Sequence, residues 1–178
     1  MRRLQLFGCI FAAMVIGAGC RGESESREVS APAVGTPLID GFVSRQSTTE
    51  VEAKLRQAAA RVTVVEDGKT TEQRSNFRTP LSLRVLSVAG FNYLGVQGDL
   101  RLEFVDNELA ATWFFPEDPV RFEGEIGKQR PSAASGPPMR LHAATELRVD
   151  VDYRGRKYWA WEDVNLRQKV DRWIKKNA

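Results

Sequence analysis

Residues 100 to 113 carry the pattern that most restricts this chain. Leu100, Leu102 and Phe104 alternate with Arg101 and Glu103, and Asp106-Asn107 follows. Alternation of this kind puts the apolar side chains on one face of a strand. Asp and Asn both tolerate the positive φ that a two-residue hairpin turn demands. Such a turn predicts Phe104 opposite Leu109, Leu102 opposite Ala111 and Leu100 opposite Trp113, all on one side. A two-stranded hairpin is marginal in water, so the rest of the chain must supply further strands and a cover.

Further strands are legible on both sides. Leu81 to Val88 places Leu81, Leu83 and Val85 on one face, and Val62 to Glu66 reads as a strand ended by Asp67-Gly68. Gly90 to Gly98 is a glycine-punctuated connection. Pro116 and Pro119 break the hairpin's second strand, and Val120 to Ile126 is expected as a short edge strand. Residues 69 to 80 and Gly127 to Met139 read as loops. Leu147, Val149 and Val151 alternate with Glu146, Arg148, Asp150 and Asp152 and lead by a hairpin into Tyr158-Trp159-Ala160-Trp161.

The turn chemistry of that last hairpin decides where two tryptophans point. A two-residue loop at Arg154-Gly155 would put Trp159 and Trp161 on the polar face. A three-residue loop, Tyr153-Arg154-Gly155, pairs Val149 with Trp159 and Leu147 with Trp161 on the apolar face. A type I turn favours Asp at its first position and Gly at its fourth, which Asp152 and Gly155 provide. Trp159 and Trp161 are therefore expected in the core, Tyr158 outside, and Asp152 against Arg156.

Two helices are signalled. Ser47-Thr48-Thr49-Glu50 is a capping box, followed by Val51, Leu55, Ala58 and Val62 at helical spacing. Glu50 with Lys54 and Glu52 with Arg56 are i,i+4 pairs. Asp163 caps a closing helix with Leu166, Val170, Trp173 and Ile174 on one stripe; Lys175 and Lys176 suit its C-terminal dipole. The expected fold class is α+β, an antiparallel sheet of about six strands with an N-terminal and a C-terminal helix packed on it.

The start of the chain carries an address. Arg2 and Arg3 precede Leu4 to Ala18, a run interrupted only by Gln5. A spanning helix needs about 20 apolar residues, so this shorter run ending in small residues reads as a signal peptide. The ending Val15-Ile16-Gly17-Ala18-Gly19-Cys20 resembles the bacterial lipobox, with Gly17 where that motif usually has leucine. The resemblance implies removal of residues 1–19 and lipid attachment at Cys20. Arg21 lacks the acidic inner-membrane retention signal, which implies the outer membrane and its periplasmic face. An ordinary secretory signal cut after Ala18 or Gly19 is the alternative.

Cleavage would remove Cys9, leaving one thiol and no internal disulfide. Of 178 residues, 159 would remain, with 24 Lys and Arg against 23 Asp and Glu. Residues 20–38 read as the lipidated cysteine and a flexible tether rich in Ser, Glu, Gly and Pro, of about 23 Å root-mean-square span. Residues 39–178 then form one domain. The near-neutral balance argues against a nucleic-acid partner. The densest cluster, Arg154, Arg156 and Lys157, is flanked by Asp150 and Asp152.

The opening Ser47-x-x-Glu50-Val51-x-x-x-Leu55, followed by strands behind a lipidated cysteine, resembles the SmpA/OmlA small envelope lipoproteins. Those are accessory parts of outer-membrane assembly machinery. This chain has one helix before its sheet where that family has two, and no Gly-x-Pro follows, so no functional residue carries over.

Chemistry is sparse. His142 is the only histidine, with no Cys, second His or well-spaced acid nearby to build a triad or a zinc site. Glu123/Glu125, Asp150/Asp152 and Glu162/Asp163 are paired carboxylates; the first two pairs are expected to share solvated strand faces. Gly90 to Gly98 lacks the Lys-Ser/Thr and following helix of a phosphate loop. Trp113, Phe114, Phe115, Trp159 and Trp161 read as core. No catalytic, cofactor-binding or metal residue is assigned. The function expected is a non-enzymatic, membrane-tethered binding or scaffold lipoprotein with an envelope protein partner. A carrier of an apolar ligand or lipid, held between sheet and helix, is the second class; a carboxylate-dependent hydrolase ranks after it.

Overall fold

The computed structural model describes residues 34–58, 61–69, 80–130, 138–142 and 144–177. The expected leader with Leu4 to Ala18, Cys20, the expected tether to residue 33, and residues 70–79 and 131–137, expected as loops, lie outside the described residues. The elements run α1 (Thr48–Gln57), β1 (Val62–Lys69), β2 (Ser82–Tyr93), β3 (Val96–Val105), β4 (Glu108–Pro116), α2 (Pro119–Gln129), β5 (Met139–Arg140), β6 (Thr145–Val151), β7 (Lys157–Asp163) and α3 (Val164–Asn177). The fold is α+β, with one antiparallel sheet of seven strands in the order β1-β2-β3-β4-β7-β6-β5.

Both faces of the sheet are covered in part. Leu86, Val88, Leu100, Leu102, Phe104, Leu109, Phe114, Leu147, Trp159 and Trp161 bury one face against Val51 and Leu55 of α1 and Phe122 and Ile126 of α2. Leu38, Ile39 and Phe42 fill the same core from the N-terminal segment, so the domain's contacts begin ahead of residue 39. On the opposite face, Leu81, Val105 and Ala110 pack against Leu166 and Val170 of α3.

α1 forms as its sequence dictates. The Glu50 N–H donates to Ser47 Oγ, and the Glu50 carboxylate accepts from the Ser47 N–H at 2.7 Å. The helix stops at Gln57, however, so Ala58 is an exposed cap and Val62 already belongs to β1. Glu52 keeps its Arg56 partner at 3.3 Å, whereas Lys54 turns from Glu50 to the Gly41 carbonyl at 2.8 Å.

Asp106 and Asn107 take φ of 50° and 68°, and Phe104 faces Leu109. Beyond that pair the expected register is wrong by one residue. The ladder shifts between Glu103 and Phe104, so Leu102 faces Thr112 and Leu100 faces Phe114. Ala110 is the extra residue: it turns to α3 while Leu109 stays in the main core, so the bulge lets β4 bury both faces. Trp113 consequently lies on the face opposite Phe114, across from Arg101, and is half-buried rather than core.

The edge strand expected over Val120 to Ile126 is the helix α2. Asp118 accepts from the Arg121 N–H at 2.9 Å, Pro119 occupies the first turn, and Phe122 and Ile126 lie four apart on the buried side. Those start signals outweigh the alternation of Phe122, Glu123, Gly124, Glu125 and Ile126. The connection expected over Gly90 to Gly98 is a hairpin: β2 runs on to Tyr93 and turns at Leu94-Gly95, with φ of 53° and 74°.

The last hairpin follows its turn chemistry. Val149 pairs with Trp159 and Leu147 with Trp161, both tryptophans are buried, and Gly155 has φ 79°. Asp152 meets Arg156 at 3.0 Å. Tyr158 is half-buried, contrary to expectation, because its ring lies 5.0 Å from Phe115 and 5.9 Å from Trp113, which the β4 bulge brings to that face. In α3, Leu166 and Val170 are buried and Trp173 packs beside them, but Ile174 is 48% exposed because the sheet's cover ends one turn earlier.

Candidate binding groove

The residues that could carry chemistry are dispersed and neutralised. His142 is exposed in the turn before β6, where its N–H approaches the Thr145 carbonyl at 3.4 Å. Glu123 and Glu125 lie on α2, two residues apart on a helix and so on different sides, and hold Lys157 at 2.6 Å and Lys128 at 2.8 Å. Asp150 and Glu162 share Arg148 at 2.7 and 2.9 Å. Asp163 is buried, 1% exposed, where it accepts from Ser44 and from the first N–H groups of α3. Among the described residues no group of His, Cys, Asp and Glu is placed to hold a metal ion.

Electrostatics point the same way. Among the described residues, the carboxylates displaced from their ordinary range are all held low. Hydrogen bonds from the Ser47 hydroxyl and N–H lower Glu50. Burial alone would raise Asp106, but the Lys169 ammonium and the Ser82 N–H outweigh it. Burial would likewise raise Asp152, and the N–H groups of Arg156 and Arg154 with the Arg156 guanidinium reverse the sign. A general acid working near neutrality needs the opposite displacement.

Asp152 therefore links turn geometry to pH. Its folded-state pKa lies below the ordinary 3.8, so its contribution is complete above that pH and fades as pH falls through the lower folded value. Asp152→Asn is expected to melt below wild type at pH 6, and the gap should narrow steadily below about pH 4. Parallel thermal melts across pH 2.5–7 would measure it; a gap that widened in acid would contradict this account.

The surface is concave where β2 outruns β1. Pairing of the two strands ends at Val62 opposite Val88, while β2 continues to Tyr93. Beside that overhang lies a groove of about 630 Å³. Its walls come from Asp40 and Phe42 before α1, from Leu55 and Ala58 at the end of α1, and from Val88 to Asn92. Phe42, Leu55 and Val88 are buried and Phe91 is half-buried, so the floor is apolar. Lys54 and Arg61 stand on the rim with Asp40. Arg61 is exposed and has no acidic partner among the described residues.

Two local devices create the overhang. The β2–β3 ladder shifts between Val88 and Phe91, a bulge in which Gly90 takes φ 65°, a region that a side chain disfavours. The shift turns Phe91 and Tyr93 to the core side, where both rings meet Phe114 at 6.2 and 6.1 Å. The early end of α1 then leaves room above β2. Residue reasoning missed this groove because its walls come from three segments far apart in sequence; the glycines from 90 to 98 were its only local sign.

A second recess of about 410 Å³ lies on the other face, beside Phe115, Arg156 and Lys157. Phe115 sits between the Arg101 and Arg156 guanidinium groups, each 4.7 Å from its centroid. Arg156 is committed to Asp152 and Asp99, and Lys157 to Glu123. Internal pairing thus saturates this recess more fully than the groove. No helix among the described residues is long and apolar enough to cross a membrane. No family model matches the chain, and no curated protein matches it in sequence.

Proposed function

We propose that this chain is a non-enzymatic binding lipoprotein of the bacterial envelope. Lipid on Cys20 holds it at the periplasmic face of the outer membrane, and the groove between α1 and β2 is its recognition surface. The observation that carries this reading is the groove itself, with an apolar floor, cations on its rim and a strand edge along one side. A lipid carrier needs a site that hides most of its ligand's surface. Here Ala58, Ala89, Gly90 and Asn92 leave the groove's rim exposed.

The test has two arms. Cys20→Ala should abolish palmitate labelling and release the protein from the membrane fraction; a wild-type chain that never labels would remove the anchor. Site-directed photocrosslinking in cells should give discrete protein adducts from Asn92 and none from Gln168, on the exposed side of α3. Equal adducts from both positions would remove the groove as the recognition surface.

A further inference from the structure

We infer that the groove takes an extended peptide segment, added as a short strand along the free edge of β2, with an apolar residue on each side of the pairing position and a carboxylate beyond. The inference rests on the binding reading above and names the class of ligand.

Backbone alternation identifies the pairing position. Tyr93 and Val96 close a two-residue hairpin, so each directs its N–H and C=O at the other. Phe91, two residues back, also directs its groups to β3, opposite Gly98. Asn92 lies between them and directs one N–H and one C=O to the opposite side, where β1 has already ended. That donor and acceptor are what a single residue of an added antiparallel strand exchanges. A main-chain partner at an exposed sheet edge is a recurrent mode of peptide recognition.

Side-chain chemistry follows from the same register. A residue paired with Asn92 points to the outer face, as Asn92 does. Its two neighbours in the peptide point to the α1 side, into the groove floored by Phe42, Leu55 and Phe91. Apolar side chains fit there. Arg61 has no acidic partner among the described residues, and Lys54 carries two more donors than its bond to Gly41 uses. Asp40 is the one acid among the described residues of the rim. The balance favours a ligand carboxylate, placed at the ends of the pairing segment.

The experiment is an NMR titration of the ¹⁵N-labelled full chain, purified from membranes in detergent micelles. The probes are Ac-Glu-Val-Thr-Val-Glu-NH2, its Lys-for-Glu counterpart and a version N-methylated at Thr. The acidic peptide should give saturable shifts at Gly90, Asn92 and Leu55. The basic peptide and the N-methylated one should each bind at least tenfold more weakly. Asn92→Pro removes the edge N–H and leaves the β3 ladder intact, so it should keep the fold and lose the shifts. Arg61→Glu should invert the charge preference.

Equal binding of acidic and basic peptides would overturn the inference. So would wild-type binding by Asn92→Pro, or slow hydrogen exchange at Asn92 in the unliganded protein, which would mean the edge is already covered. These failures are separable from failure of the binding reading: a chain that gives groove adducts in cells yet ignores all three peptides binds something other than a strand.

Discussion

Asp163→Ala should lower the unfolding free energy by about 3–5 kcal/mol, the scale for stripping one partner from a buried charged network. Asp163 joins three parts of the molecule. It ends β7, and its carboxylate accepts from the Asn165 and Leu166 N–H groups at 2.9 and 3.1 Å, which starts α3. The Ser44 hydroxyl donates to it at 2.9 Å and the Arg45 guanidinium stands 3.5 Å away, which fastens the N-terminal segment. The side chain is 1% exposed, so water cannot replace what is lost. Loss of a helix cap alone costs about 1 kcal/mol; the remainder comes from leaving Arg45 and Ser44 facing a void. Asp163→Asn keeps an acceptor for the cap and should lose less. Urea unfolding of the three proteins measures the series, and an Ala variant within about 1 kcal/mol of wild type would refute the joint.

Trp159→Ala should cost a comparable ~3–5 kcal/mol, the range for deleting a buried large aromatic side chain. Trp159 is 0% exposed and its ring meets Phe122 of α2 edge-on at 4.8 Å, while Phe122 meets Phe114 of β4 at 4.9 Å. The side chain therefore fastens α2 as well as filling the core. Amides of α2 should lose exchange protection sooner than those of β2 and β3. Trp113→Ala, at a half-buried site on the other face, should cost distinctly less. Typical domains have about 5–15 kcal/mol in total, so the Trp159 variant should sit near its folding threshold. Equal losses at the two tryptophans would show the faces to be misassigned.

Short-range chemistry was the legible part. Ser47 and Glu50 cap a helix, Asp152 and Gly155 shape a turn, and Asp106-Asn107 closes a hairpin, each within five residues. These are local choices whose energies do not depend on the rest of the chain. The bulge at Ala110 was hidden because its cause is α3, more than fifty residues later, which needs a small side chain on that face. α2 was hidden by a competing period: Phe122, Gly124 and Ile126 satisfy an alternating pattern, and only the Asp118-Pro119 start tips the choice. Tyr158 was misjudged for the same reason as Trp113, since one bulge moved both neighbours. The groove depends on where β1 stops relative to β2, a relation between elements that no single window contains.

The strand order has a consequence for the moment of synthesis. β1 to β4 form one meander and β5 to β7 another, and the two are joined in the sheet by the pairing of β4 with β7, over four residue pairs from Ala111–Glu162 to Phe114–Trp159. The first meander closes through neighbouring strands and can assemble as soon as residue 116 is available. Its outer strand, Glu-Leu-Ala-Ala-Thr-Trp-Phe-Phe-Pro, is then a long apolar edge with nothing beside it. That edge stays open until Lys157–Asp163, about forty residues further along, arrives to occupy it. In a chain halted between those points, the same edge is a template on which another unfinished copy can pair, and aggregation of nascent protein would begin there.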